Sequence, residues 1–215
     1  MATVNKMHNE IPRRLFVTGT DTGIGKTMVS AILMAGLDGR YWKPVQSGLE
    51  EMTDTEWIRE MTGLGDDHFY PETYRLKLAL SPHASAAAEN ISIDLKAFQL
   101  PETDQHLVVE GAGGVMVPLN DHHFMLDLMK KLDIPVLLVT RSELGTINHT
   151  LLSLEQLRRH GIDVFGVVMN GPGNPGNQEA IERYGNTQVL AEIEPLSKIN
   201  PQTLMKAFWD YFSNS

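Results

Sequence analysis

The segment Gly19-Thr20-Asp21-Thr22-Gly23-Ile24-Gly25-Lys26-Thr27 carries the residue types needed to grip a polyphosphate. Its glycines let successive backbone N–H groups turn toward an anion, and a helix starting at its end adds favourable partial charge. Lys26 can reach the terminal phosphates, and the Thr27 hydroxyl can ligate Mg2+. Strict spacing of glycine, four residues and Gly-Lys-Thr would put a glycine at position 20, whereas Thr20 stands there and the glycine comes one residue earlier. The alternative is a glycine-rich turn ahead of an ordinary helix. The Gly-Lys-Thr ending, set between an apolar run and a helical stretch, favours the phosphate loop.

Two further groups suit the same chemistry. Glu110-Gly111-Ala112-Gly113-Gly114 follows an apolar run, so a carboxylate and a flexible glycine loop project from a strand's C-terminal end, where open parallel sheets bind ligands. Glu110 can complete a Mg2+ shell beside Thr27, with Asp54 as a second acidic candidate, because Mg2+ prefers hard oxygen ligands and retains water. The structural alternatives are a loop cap for Glu110 and a helix N-cap for Asp54. Lys43-Pro44-Val45-Gln46-Ser47-Gly48 presents a cation and a hydroxyl four residues apart, a weak signal alone. The histidines suggest surface or capping roles, since His122 and His123 are adjacent and the chain has no cysteine to complete a transition-metal shell.

These groups need a scaffold. Apolar, β-branched runs at 15–18, 107–109, 136–140, 164–169 and 189–193 read as buried strands, and 41–45 as a further one ending near Pro44. Helical spacing over 26–37, 124–132 and 146–160 alternates with them, which predicts an α/β domain with a mostly parallel sheet and helices on both faces. The stretch 50–100 reads as an insertion with helices over 54–61 and 83–89, and 171–176 as a loop. A single domain over 1–215, with 1–12 as a flexible N-terminal segment, is the expected organisation.

Composition narrows the partners. A formal charge of −9 gives no basic footprint for nucleic acid or an anionic membrane, so a small molecule is the better fit. No stretch approaches the ~20 apolar residues of a membrane span. The absence of cysteine excludes thiol redox chemistry and fits a cytoplasmic location.

Taken in order, Gly-Thr-Asp-Thr-Gly-Ile-Gly-Lys-Thr from Gly19, Lys-Pro-Val-Gln-Ser-Gly from Lys43 and Glu-Gly-Ala-Gly-Gly from Glu110 closely resemble the dethiobiotin synthetase family. The similarity continues through Ser81-Pro82-His83-Ala84, Leu144-Gly145-Thr146-Ile147-Asn148-His149 and Asn170. The resemblance implies a P-loop NTPase fold and an ATP- and Mg2+-dependent ligase of biotin biosynthesis. Such an enzyme joins CO2 to 7,8-diaminopelargonic acid and closes the ureido ring, releasing ADP and phosphate. It also implies a homodimer with active sites at the subunit boundary.

By the same resemblance, Lys26 and Lys43 are catalytic, and Thr27, Asp54 and Glu110 surround Mg2+. Nucleotide contacts are implied for Gly23, Ile24, Gly25, Lys26, Thr27, Met28, Asp54, Glu110, Gly111, Ala112 and Gly113, and, toward the purine, for Asn170, Gly171, Glu194, Pro195 and Leu196. Substrate contacts are implied for Thr22, Lys43, Ser47, Gly145, Thr146, Ile147 and Asn148. Gly23 and Gln46 depart from the family, which often has glutamate and a small residue at these positions.

The competing class is a P-loop switch ATPase of the partition type. Such proteins usually carry a second lysine early in the loop, and none stands between Gly19 and Gly25. An amidotransferring synthetase of cobalamin assembly would need a nucleophilic cysteine.

Overall fold

The computed structural model describes residues 11–213. Most of the segment expected to be flexible, 1–12, lies outside the described residues. Seven strands form one sheet, in the order β4 (Phe69–Tyr70), β2 (Arg40–Trp42), β6 (Leu107–Glu110), β1 (Arg14–Gly19), β7 (Val136–Arg141), β8 (Val164–Asn170) and β9 (Val189–Ile193). Every pairing in it is parallel. A parallel sheet needs crossovers, and the helices that supply them cover both faces.

Alternation along the central strand divides the core. Phe16 faces one side, where α4 (Met125–Leu132), α5 (Thr146–Arg159) and α6 (Pro175–Gly185) contribute Leu128, Leu157 and Ile181. Leu15 and Val17 face the other, against α1 (Lys26–Leu37), α2 (Asp54–Thr62) and α7 (Pro201–Phe208). In α1, Val29, Ala31, Ile32, Leu33 and Met34 are all fully buried, so this helix is wrapped by protein nearly all round. That fixes its N-terminus, and with it the loop at Gly19–Thr27. Among the described residues no helix is long and apolar enough to cross a membrane.

The chain departs from the sequence expectation in three places. The strand expected over 41–45 is split, because Pro44 has no N–H with which to continue a ladder. The chain leaves the main sheet after Trp42, and β3 (Val45–Ser47) pairs instead with β5 (Tyr74–Leu76) in a separate two-stranded parallel sheet. The insertion at 50–100 contains α2 and α3 (Pro82–Ala88) as expected, together with β4 and β5, which are too short to show a period. Finally, α6 begins at Pro175, inside the segment read as a loop, and α7 was not foreseen. Both start at an Asn-Pro pair, Asn174 and Asn200 capping the first turn with proline next to them, which is a recognisable start signal.

Candidate functional site

The C-terminal ends of β1, β2 and β6 converge on a cavity of ≈ 410 Å3 bordered by the glycine loop, Lys43, Ser47, Asp54 and Glu110. The loop closes on α1 through Gly25, which sits at φ 95 and ψ 24 as the N-cap with no side-chain cap. Only glycine occupies that region cheaply. A Cβ there would also fall 2.1 Å from Asn170 Nδ2. Asn170, at the end of β8, donates to the Ile24 carbonyl at 3.0 Å and so holds the far side of the loop. Lys26 is buried and donates to the Asp21 carbonyl at 2.9 Å, while Arg141 pairs with the Asp21 carboxylate at 2.9 Å.

The sequence left open whether Asp54 merely caps α2. Thr53 takes that role: its hydroxyl accepts from Glu56 N–H at 3.3 Å, and the Glu56 carboxylate accepts from Thr53 N–H at 2.8 Å. Asp54 is thereby released toward the cavity. The Thr27 hydroxyl lies 2.8 Å from Asp54 Oδ1 and 3.0 Å from Glu110 Oε1. Lys43 Nζ bridges the same carboxylates, 2.6 Å from Asp54 Oδ2 and 3.0 Å from Glu110 Oε1. Glu110 therefore turns into the site and does not cap its own loop.

Burial pulls the Lys26 ammonium down to about 8, with the charge of Glu110 offsetting only part of the effect. Burial would also lower Lys43, but Glu110 and Asp54 outweigh it and its pKa ends above the ordinary lysine value. For Asp54, burial pushes upward and the Lys43 charge overcomes it, leaving the carboxyl below its ordinary range. Lys43 is thus a fixed cation.

A divalent metal fits this donor set. One hydroxyl proton on Thr27 serves two flanking carboxylate oxygens, so the three oxygens converge with more lone pairs than donors. Among the described residues no cluster of three or more His, Asp or Glu side chains could hold a metal alone. Two carboxylates and a hydroxyl suit Mg2+, which takes few protein ligands and completes its octahedron with phosphate oxygens and water.

Sequence reasoning missed Tyr41. It is fully buried, and its hydroxyl donates to Glu110 Oε2 at 3.1 Å. Burial first, and then the Glu110 charge, hold the phenol pKa well above its ordinary value. The available signal was position, since on a strand Tyr41 shares a face with Lys43 two residues later.

Other sequence candidates lie apart from this cluster. Ser47 Oγ is buried without a partner and borders the cavity. Gln46 instead accepts from Asp54 N–H at 3.4 Å. Glu194 and Pro195 are exposed beyond β9. Gly145, Thr146, Ile147 and Asn148, at the start of α5, do not border the cavity. There Thr146 is buried with its hydroxyl between Thr140 Oγ1 at 2.7 Å and the Arg141 carbonyl at 2.5 Å, while Asn148 is exposed.

Known proteins resemble this chain over most of its length. The AAA domain model matches residues 13–203. The chain is similar to the ATP-dependent dethiobiotin synthetase of Paramagnetospirillum magneticum, with 50% identity covering 89% of this chain and 93% of that protein. Its likeness to the synthetase of Agrobacterium fabrum is 45%, over 93% and 94% of the two chains. Among solved structures, a ParA family ATPase from Chlorobium tepidum aligns with a TM-score of 0.54 at 10% identity, covering 94% and 91% of the two chains, which speaks to the fold alone. With identities of 44–50% over about nine tenths of its length, the chain belongs to the ATP-dependent dethiobiotin synthetase family.

Proposed function

We propose that this chain carboxylates 7,8-diaminopelargonic acid with CO2 and closes the ureido ring of dethiobiotin at the expense of ATP. The observation that supports this best is the convergence of Thr27, Lys43, Asp54 and Glu110, from four separate segments, on one cavity beside the phosphate loop. A module that only bound nucleotide would have no use for a fully buried lysine held between two carboxylates.

In this reading a carbamate oxygen formed on the substrate attacks the γ-phosphorus of ATP, the bond to the β–γ bridging oxygen breaks and ADP leaves. Both partners are anionic, so the protein must supply cations that neutralise charge without entering bond making. Lys26 serves the phosphates and Lys43 serves the carbamate and the transferring group. At an effective dielectric of about 20, a unit charge ~4 Å away contributes ~4 kcal/mol before desolvation, enough to change a rate by orders of magnitude. Lys43 is held protonated by its neighbours, so it positions and stabilises and does not act as a base. Mg2+, held by Thr27, Asp54 and Glu110, would supply further positive charge to the phosphates. The second amine then attacks the carbonyl carbon of the carbonic-phosphoric anhydride within one bound molecule, closing the ring as phosphate leaves and the amine gives up a proton, a step that proximity favours. The Ser47 hydroxyl is assigned to the diamine end, and its buried Oγ without a partner supports this. Asn170, Gly171 and the segment 194–196 are assigned to the base.

The far carboxylate of the substrate needs a second site, and we assign it to Gly145–Asn148 of a partner subunit in a homodimer. What supports this is that the segment opens at a helix start and lies outside the cavity of its own chain. The test of the whole reading is mass detection of dethiobiotin after incubation with ATP, Mg2+, bicarbonate and the diamine. ADP release that needs neither the diamine nor bicarbonate would instead point to a switch ATPase.

A further inference from the structure

The two oxygens of Glu110 face opposite ways. Oε1 points into the cavity, 3.0 Å from both the Thr27 hydroxyl and Lys43 Nζ. Oε2 points into the core, where it accepts from the Tyr41 hydroxyl at 3.1 Å. Glu110 and Tyr41 are both fully buried, so no bulk water competes for that bond. The pairing is built into the sheet: β2 and β6 are neighbours with Tyr41 in register with Val108, which sets the phenol ring beside the carboxylate two residues on. The ring is held in turn edge-on by Phe69 of the next strand, with centroids 6.0 Å apart. We propose that Tyr41 is a positioning residue that holds Glu110 to single-oxygen ligation and thereby sets the metal preference of the site toward Mg2+ over larger cations.

The proposal rests on the assignment of Glu110 to the metal. Mg2+ is small, demands a near-ideal octahedron and takes carboxylates through one oxygen, whereas Ca2+ accepts more ligands and often binds both oxygens of a carboxylate. A carboxylate free to rotate can offer either mode. With Oε2 tied to Tyr41, Glu110 can offer only Oε1 unless that bond is broken. Loss of the phenol hydroxyl would leave Oε2 buried without a donor, and the cheapest way to satisfy it is to turn toward the cation. Groups that orient a metal ligand from behind typically change metal affinity by about 10–100-fold when removed.

The test compares Tyr41→Phe with the unaltered protein by calorimetry, measuring affinity for a non-hydrolysable ATP analogue with Mg2+, with Ca2+ and with neither. The expected result is a Mg2+-supported affinity lowered roughly tenfold or more, a Ca2+-supported affinity changed less than about threefold, and so a preference narrowed by about an order of magnitude. A purely structural tyrosine would lower both affinities together, and an unchanged ratio overturns the proposal. Phe69→Leu serves as the control, since it loosens the ring but keeps the hydroxyl. A ratio that falls equally there also overturns it. If neither cation strengthens nucleotide binding to the unaltered protein, the metal assignment itself fails, an outcome distinct from an unchanged ratio. Should Tyr41→Phe not fold, infrared difference spectra of the unaltered protein labelled with 13C-carboxyl glutamate decide the matter. A one-oxygen glutamate signature on adding Mg2+ and nucleotide supports the proposal, and a two-oxygen signature overturns it.

Discussion

Two helices in this molecule start in nearly the same way and stand in opposite surroundings. Gly25 precedes α1 and Gly145 precedes α5; both have φ 95 and neither helix has a side-chain cap. In each the first intrahelical bond is made by the residue four further on, Val29 to Gly25 and His149 to Gly145. Each start therefore leaves first-turn N–H groups without an intrahelical partner, although that of Thr146 is taken by the Glu143 carbonyl at 3.1 Å, and such groups attract an anion. At Gly25 those groups face a walled cavity, with Asn170 close enough to forbid a Cβ. At Gly145 a Cβ would meet nothing within 4 Å, and the preceding Leu144 is fully exposed at 102%. The first is walled within its own chain. The other has its floor and lacks its walls, which is the physical reason for assigning its completion to a second copy.

The largest effect should come from the walled site. Lys43→Met removes the cation between Asp54 and Glu110 and should lower kcat by roughly 10^2–10^3 while changing the KM for ATP only a few-fold, since the charge it answers develops during transfer. Steady-state kinetics with both substrates varied check this. A change confined to ATP affinity would make Lys43 a nucleotide clamp, and the enclosed site would then be no more than a binding pocket.

Next in size is the test of the open site. If Lys43→Ala and Asn148→Leu chains are each inactive yet folded, and their subunits exchange, a mixed dimer with shared sites has one site bearing both lesions and one bearing neither. Random exchange makes half the dimers mixed, so about a quarter of full activity should return for a two-fold interface. A mixture that demonstrably exchanges and stays inactive would show that each chain contains its whole site and that the exposure of Leu144 and Gly145 has another cause.

The same contrast explains what could be read from the residues alone. The phosphate loop was legible because its chemistry is local: backbone N–H groups, Lys26 and Thr27 act through a few consecutive positions. The sheet was legible for a similar reason, since buried parallel strands must be apolar over several residues, as 136–140 and 164–169 are. An end near Pro44 was legible, but that the chain resumes as a strand at Val45 could be known only once β5 was seen to pair with β3, a contact between segments that carry no period of their own. The roles of Asp54 and Glu110 stayed divided between cap and ligand because each residue type suits both. Thr53, by capping α2, takes the cap role from Asp54, and the distances to Lys43, Thr27 and Tyr41 turn Glu110 into the site, while a role for either as metal ligand belongs to the proposal. Tyr41 carried only the weak signal of its position before Lys43, because its partner lies 69 positions away.

A smaller effect compares the two glycines directly. Gly25→Ala must pay the left-handed backbone and also displace Asn170, so it should cost about 2–4 kcal/mol of stability and loosen nucleotide binding. Gly145→Ala meets only the backbone term, about 1–2 kcal/mol. Chemical denaturation of both variants measures the difference. Equal losses would mean that the wall at Asn170 yields easily and that the first site is less rigid than its packing suggests.

The smallest effect is a fraction of a proton. Because α1 starts inside a wall of protein, Lys26 is desolvated, and its pKa of about 8 lies below the ordinary 10.5. A lowered lysine pKa means that the free folded protein has given up a proton that an exposed lysine would keep, over the range between the two values. Bound phosphates bring negative charge against the ammonium and favour its protonated form, returning the pKa toward or above the ordinary value. ADP binding should then draw a proton from solution, and the amount follows from the two pKa values. At pH 9 the free protein has roughly a tenth of Lys26 protonated and the complex nearly all, an uptake of about 0.9 proton, whereas at pH 7 both are mostly protonated and the uptake falls to about 0.1. Lys43 adds nothing in this window, because its carboxylate partners already hold its proton. Calorimetry of ADP binding at each pH, in two buffers of different ionisation enthalpy, reads the proton count. An uptake that is absent at pH 9 would mean that Lys26 is charged before the nucleotide arrives, so that the enclosure distinguishing α1 from α5 excludes less water than the packing around it implies.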